Sequence, residues 1–109
     1  MKIRFEKNTM RWRISQTELQ LLAQGLTLVH EVELPVIQLR FHLLVDRQSP
    51  PNGRLANFEQ VIEANRLDHV LLLCPQGLND LQADPQRALC EFIDGIDETE
   101  LILEVDFKR

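Results

Sequence analysis

Residues 1–25 read MKIRFEKNTMRWRISQTELQLLAQG, and within that stretch the apolar spacing changes from two to roughly 3.6. Ile3 and Phe5 alternate with Lys2, Arg4 and Glu6. After Lys7-Asn8-Thr9-Met10 the alternation resumes, with Trp12 and Ile14 set against Arg11, Arg13 and Ser15. Period two on both sides of a short break predicts a strand hairpin. One face should carry Ile3, Phe5, Trp12 and Ile14 into a core, and the other collects Arg4, Arg11 and Arg13. Ser15-Gln16-Thr17-Glu18 then fits a capping box, in which the serine oxygen accepts a first-turn N–H and Glu18 reaches back to the N–H of Ser15. The spacing predicts a helix over 16–24, with Leu19, Leu22 and Ala23 as its stripe, Leu21 alongside, and Gly25-Leu26 as a left-handed stop. A hairpin running into a helix points to the α+β class.

The rest of the chain extends this pattern. Leu28, His30, Val32 and Leu34 alternate with Val29, Glu31 and Glu33 up to Pro35, and Ile37, Leu39, Phe41, Leu43 and Val45 form the cleanest period-two run. Two more strands are expected there, closed by a surface loop at 47–53. Residues 55–65 suit a helix through Leu55, Phe58 and Ile62, or a strand through Ala56, Phe58, Gln60, Ile62 and Ala64; the strand is preferred. His69 to Cys74 lacks alternation, as a central strand covered on both faces would. Pro75 to Gln82 can form helical turns. Asp84-Pro85 suits a cap, and Leu89, Phe92 and Ile93 could line a short helix up to Gly95, although 85–93 stays open between helix and strand. Leu101 to Phe107 is the closing strand. No internal repeat is evident. The expectation is one domain, 1–109, with a curved, mainly antiparallel sheet of about six or seven strands. The N-terminal helix and one or two short helical segments should pack it, and the N- and C-terminal strands should be neighbours.

A chain of 109 residues, 44% of them apolar, can bury a core without metal or disulfide support. Its formal charge is 12 − 17 = −5, which opposes nucleic acid and anionic membranes as partners. The charge is uneven. Residues 1–15 hold Lys2, Arg4, Lys7, Arg11 and Arg13 against Glu6 alone, whereas Glu91 to Asp106 carries acids and no Lys or Arg. Such halves can attract each other within one fold or across two copies, so self-association or a protein partner is expected. No apolar run approaches a membrane span, and the charged opening lacks a signal-peptide core; the chain reads as cytoplasmic. Cys74 and Cys90 sit in apolar neighbourhoods and read as buried thiols. Gly25, Gly53, Gly77 and Gly95 are isolated, so no phosphate-binding loop or dinucleotide fingerprint is present, and no cofactor is expected.

Met1-Lys2-Ile3-Arg4, followed by Asn8-Thr9-Met10-Arg11-Trp12-Arg13-Ile14-Ser15 and Glu18, resembles the opening of a family of small bacterial proteins of unknown function. That family begins M-K-[IL]-R, continues N-[ST]-x-R-x-R-[LI]-[ST]-x-x-E, has a strand ending in Val-Pro, and closes near Asp-Phe. Leu73-Cys74-Pro75, with cysteine in place of valine, and Asp106-Phe107 would be the counterparts here. The resemblance favours the strand reading of 55–65 and implies no activity.

Several constellations carry candidate chemistry. Arg4, Arg11 and Arg13 on neighbouring strands could grip an anion bidentately, while the plainer reading pairs them with Glu104 and Asp106 of the last strand. Glu104-Val105-Asp106-Phe107-Lys108 is similar to the E-x-E-x-K strand of triphosphate tunnel metalloenzymes, which implies Glu104 and Asp106 as metal ligands beside an arginine-bound phosphate. His30, His42 and His69 could be imagined around zinc, but they lack ligand-pair spacing and read as sheet histidines. Ser15 is consumed by its cap, Ser49 lacks a nucleophile elbow, and Trp12 alternates onto the apolar face rather than offering a base-stacking surface. No catalytic set is complete. The expected function is a non-enzymatic binding or assembly module, with a small-anion-binding protein or metal-dependent phosphohydrolase as the alternative.

Overall fold

The computed structural model describes residues 1–47, 54–93 and 98–106. In chain order the elements are β1 (Lys2–Glu6), β2 (Thr9–Ser15), α1 (Gln16–Ala23), β3 (Leu28–Glu33), β4 (Gln38–Val45), β5 (Ala56–Glu63), β6 (Arg66–Leu73), α2 (Pro75–Ala83), β7 (Leu89–Ile93) and β8 (Thr99–Asp106). The class is α+β, and within 55–65 the strand alternative holds as β5, with Ala64-Asn65 as the turn that follows it.

The strands form two sheets of four, ordered β1-β2-β8-β7 and β3-β4-β6-β5. All sequence-adjacent pairs are antiparallel hairpins, but β2 lies parallel to β8 and β4 parallel to β6 in the middle of each sheet. A single curved sheet is therefore replaced by two mixed ones. The underlying plan is a repeat of architecture: β1-β2-α1-β3-β4 is followed by β5-β6-α2-β7-β8, and each sheet joins the opening hairpin of one repeat to the closing hairpin of the other. Such a parallel contact needs no crossover within a repeat, because its two strands come from different repeats. Ser15 and Cys74 hold equivalent places as helix N-caps after β2 and β6.

Local chemistry explains both helices. Ser15 Oγ accepts the Glu18 N–H at 3.0 Å and Glu18 Oε1 accepts the Ser15 N–H at 2.9 Å, completing the capping box. At the other end the Leu26 N–H reaches Leu21 O at 3.1 Å and the Gly25 N–H reaches Leu22 O at 3.0 Å, with Gly25 at φ +89°. This is a Schellman stop, and the left-handed backbone is why glycine stands there. In α2, Pro75 takes the first turn, where no N–H is needed, and the buried Cys74 thiol accepts the Gly77 N–H at 3.3 Å. A Cβ on Gly77 would lie 2.7 Å from Leu55 O, so glycine allows α2 its close approach.

The core lies between the sheets. Trp12, Ile14, Leu101 and Leu103 of the first meet Phe41, Leu43, Leu71 and Leu73 of the second, with Leu19 and Leu22 of α1 and Leu81 of α2 buried beside them. Trp12 is a core residue, edge-on to Phe41 with ring centroids 5.8 Å apart. Two expectations change, and one alternative that the sequence left open is decided. Met10, placed in a turn by the sequence, faces the core and pairs with Phe5, while Phe5 itself is exposed; the turn is only Lys7-Asn8. Residues 89–93 are a strand because β8 supplies a full antiparallel ladder, from Leu89↔Leu103 to Ile93↔Thr99. Cys90 is exposed, since it points out of the opposite side of that strand from Leu89. The expected 47–53 loop lies outside the described residues, apart from Arg47.

Candidate functional site

Two surfaces stand apart from an ordinary solvated exterior. The first is the outer face of the N-terminal hairpin. The register sets Lys2 opposite Arg13 and Arg4 opposite Arg11, so four cations occupy adjoining cross-strand positions on one face. Like charges directly opposite each other repel. On the far side of β2, Arg13 faces Glu104, whose Oε1 accepts from Arg13 Nε at 2.9 Å and whose Oε2 accepts from Arg11 Nη1 at 3.0 Å. The Arg11 Nε is buried and without a hydrogen-bond partner among the described residues. Arg4 meets only Glu6, at 3.2 Å and well exposed, and Lys2 has no ion-pair partner among the described residues. Lys2, Ile3, Arg4, Arg11 and Arg13 line a concavity of about 300 Å³. The three sequence-predicted arginines are thus brought together, two of them on one carboxylate.

Glu104 is held by two guanidiniums, so a metal ion there would have to displace both. Among the described residues no group of three His, Cys, Asp or Glu side chains clusters as metal ligands. Asp106 lies opposite Ser15 one position pair further along β8, and Lys108 falls outside the described residues.

The second surface is built by the inner face of the second sheet. Its register sorts the inward side chains into rows running across all four strands. The first row is Leu28, Leu43, Leu71 and Phe58; the next is His30, Phe41, His69 and Gln60; the last is Val32, Leu39, Leu67 and Ile62. The first sheet covers the first row. Burial then falls row by row: Phe41 and His69 are still buried, Val32, Leu39 and Leu67 of the third row are half-buried, and Ile62 is 75% exposed. The neighbouring β3–β4 turn adds Leu34, 47% exposed, and Val36, 83% exposed, while Phe5 stands 57% exposed at the mouth, its ring 5.9 Å from Phe41. A sheet face left to water is normally polar. This one carries His30, His69 and Gln60 in its second row and turns wholly apolar again in its third.

His69 sits on the floor of that open end. Its ring stacks at 4.8 Å on Phe41 and at 5.8 Å on Phe58, and Gln60 Nε2 lies 3.2 Å from Nδ1. Burial holds its pKa below the ordinary histidine value, although the negative charge of Asp68 pulls the other way. A donating Gln60 amide leaves the neutral ring with its proton on Nε2. His42 points to the opposite face of the sheet, so the three histidines do not converge. There His42 Nε2 meets Asp68 Oδ1 at 2.9 Å, and Arg66 Nε meets Asp68 Oδ2 at 3.0 Å. The His42 hydrogen bond and Arg66 hold the Asp68 carboxyl below its usual range against the cost of burial.

No family model, curated protein or solved structure matches the chain. The site must be judged on its own chemistry. The His42–Asp68–Arg66 network was missed by the sequence, because joining residue 42 to residue 68 requires the parallel β4–β6 register. The open end was also missed: alternation marks Ile62 and Val32 as inward, but not whether anything lies above them. A further concavity of about 590 Å³ runs beside α2 and β7 past Asp80, Asp84, Arg87 and Cys90, where burial first, and then Glu100, push the Cys90 thiol up in pKa. A thiol raised in this way is a poor nucleophile.

Proposed function

We propose that the chain is a non-enzymatic assembly module whose open end docks a second copy of itself. The observation that carries the reading is the exposed apolar set Ile62, Val36, Leu34 and Phe5 at the open end of the second sheet, continuous with the half-buried Val32, Leu39 and Leu67 of the third row. A monomer gains little by keeping Ile62, Val36, Leu34 and Phe5 apolar in water, and contiguous exposed apolar surface of this kind marks contact sites. Charge argues for a copy of the same chain as the occupant. The third row is uncharged, while the strand ends bordering it carry both signs: Lys7 in the β1–β2 turn and Glu33 at the end of β3, with Arg66 paired to Glu63 at 2.8 Å beside the β5–β6 turn. A two-fold partner can therefore meet apolar centre with apolar centre and cation with carboxylate. A stable interface takes about 800 Å² from each partner, and the patch would form its dry middle.

The reactive side chains support a binding role over catalysis. Ser15 Oγ and Cys74 Sγ are both engaged as helix caps, and His42 is held on Asp68 with aliphatic Val29 and Val70 directly opposite it in the neighbouring strands. The test is sedimentation across a wide concentration range, comparing the natural chain with a Val36→Lys, Ile62→Lys variant. A dimer that the paired substitution converts to folded monomer is expected. A natural chain that stays monomeric at the highest attainable concentration rejects the proposal.

A further inference from the structure

We infer that the concave outer face of the N-terminal hairpin binds a small polyanion carrying two or more phosphate or carboxylate groups. Lys2, Arg4, Arg11 and Arg13 occupy two successive cross-strand pairs, so their attachment points lie within about 5 Å across the strands and about 7 Å along them. Glu104 pairs with Arg11 and Arg13 and Glu6 with Arg4, while Lys2 has no ion-pair partner among the described residues. Glu104 lies on the β8 side, so it also fixes two of the guanidiniums. Arg11 and Arg13 each spend one N–H on that carboxylate, and the remaining donors, with those of Arg4 and Lys2, line the concavity of about 300 Å³. Arrays of guanidinium forks held in place by a structural carboxylate suit oxyanions better than an isolated cation does.

The repeat supplies an independent argument. In the equivalent hairpin, β5–β6, the matching cross-strand pairs are Asn57 opposite Leu72 and Glu59 opposite Val70, with no cation among them. The fold therefore does not demand cations at this place. Their convergence around a concavity, at the cost of mutual repulsion, calls for a negative group that the chain supplies only in part. A single-charge anion would satisfy one pair; the two pairs in line call for linked oxyanions. The chain's overall charge of −5 favours a small ligand over a long polynucleotide, which would bring its phosphates close to the acidic remainder.

The experiment is a thermal-shift and calorimetric titration of the natural chain at low salt with inorganic pyrophosphate, inorganic triphosphate and citrate, with sulfate and a single-stranded oligonucleotide alongside. Saturable binding of pyrophosphate, triphosphate or citrate, tighter than sulfate and weakened by added salt, is expected. The contrast between the phosphates and citrate tells phosphoryl from carboxylate chemistry. Lys2→Gln with Arg4→Gln removes cations that hold no core contact, and should weaken binding by about tenfold or more with the melting curve of the free protein retained. Because these substitutions leave the open end of the second sheet untouched, the oligomeric state should not move with them. No shift with any polyanion, affinity unchanged in the double variant, or tighter binding of the oligonucleotide than of triphosphate would each overturn the inference.

Discussion

The two sheets have the same strand order, and their closing hairpins match as far as Ile93–Thr99 and Val32–Leu39, but their opening hairpins differ by one inward row of side chains. In the first sheet the row Ile3, Trp12, Leu103, Leu89 corresponds to Phe58, Leu71, Leu43, Leu28 in the second, and Phe5, Met10, Leu101, Glu91 corresponds to Gln60, His69, Phe41, His30. Beyond that the first hairpin has turned at Lys7-Asn8, whereas β5 and β6 continue to Ile62 and Leu67 before turning at Ala64-Asn65. A longer hairpin in one sheet, packed over a shorter one in the other, leaves an overhang. What it need not do is keep the overhang apolar. The first sheet shows the alternative, because Glu91 takes an inward position near its edge and is used there to accept the Leu55 N–H at 2.8 Å.

The comparison breaks or holds first on stability. Leu71 and Ile62 both face inward on neighbouring strands of one sheet, but Leu71 is fully buried and Ile62 mostly exposed. Leu71→Ala should cost about 2–5 kcal/mol in denaturant unfolding, through lost burial plus a cavity. Ile62→Ala should change the monomer's stability by no more than about 0.5 kcal/mol. Repeating both at high protein concentration sharpens the contrast. If a second copy covers the open end, natural-chain stability rises with concentration and Ile62→Ala reduces that rise. An Ile62→Ala penalty as large as that of Leu71→Ala in the dilute protein would mean that the third row is already covered.

How much of this could be read from the residues follows from which forces are local. The first hairpin, the capping box and the Gly25 stop were legible because alternation, cap chemistry and a left-handed turn act within a few residues. The division into two sheets was not. Ile37 to Val45 has the same period whether its neighbours continue one sheet or start a second, and a parallel β4–β6 contact leaves no mark in either strand. At 89–93 the local signal left helix and strand open: Asp84-Pro85 and the spacing of Leu89, Phe92 and Ile93 suit a helix, but pairing along β8 outweighs a preference that a short helix could not have sustained alone. The arginines were legible as a group, and their plainer reading, pairing to the closing strand, describes Arg11 and Arg13 on Glu104. Arg4 and Lys2 needed the register to be seen as a set with them.

A smaller effect concerns the floor of the open end. His69 is a base whose pKa burial lowers in the folded chain, so the unfolded chain binds its proton more readily. Stability from this group is fully present above the unfolded value of about 6.5, falls as pH drops below it, and levels off once the folded ring also takes up its proton. Chemical denaturation at pH 7.5 and at pH 5.5 should therefore show a loss of stability that a His69→Phe variant reduces. The other histidines are common to both proteins and cancel in the difference. An equal loss in the variant would assign the pH response to groups outside the aromatic stack. If the natural chain dimerises over this end, the contrast should grow with protein concentration, because a covering copy desolvates the ring further.

The smallest effect lies in the turn that makes the second hairpin longer. Asn8 in the first hairpin and Ala64 in the second both have positive φ, at 59° and 48°. Asparagine tolerates that region, while alanine suffers a clash between Cβ and backbone worth roughly 1–2 kcal/mol. Glycine removes the clash but adds about 0.5–1 kcal/mol of chain entropy to the unfolded state. Ala64→Gly should therefore stabilise the protein by up to about 1 kcal/mol, a rise of a few degrees in melting temperature. Asn8→Ala should move it the other way. A fall in stability on Ala64→Gly would mean that the Ala64 methyl group has contacts of its own at the tip of the open end, which a second copy seated there would provide; the sign should then revert to stabilising in the Val36→Lys, Ile62→Lys background, where that copy is repelled.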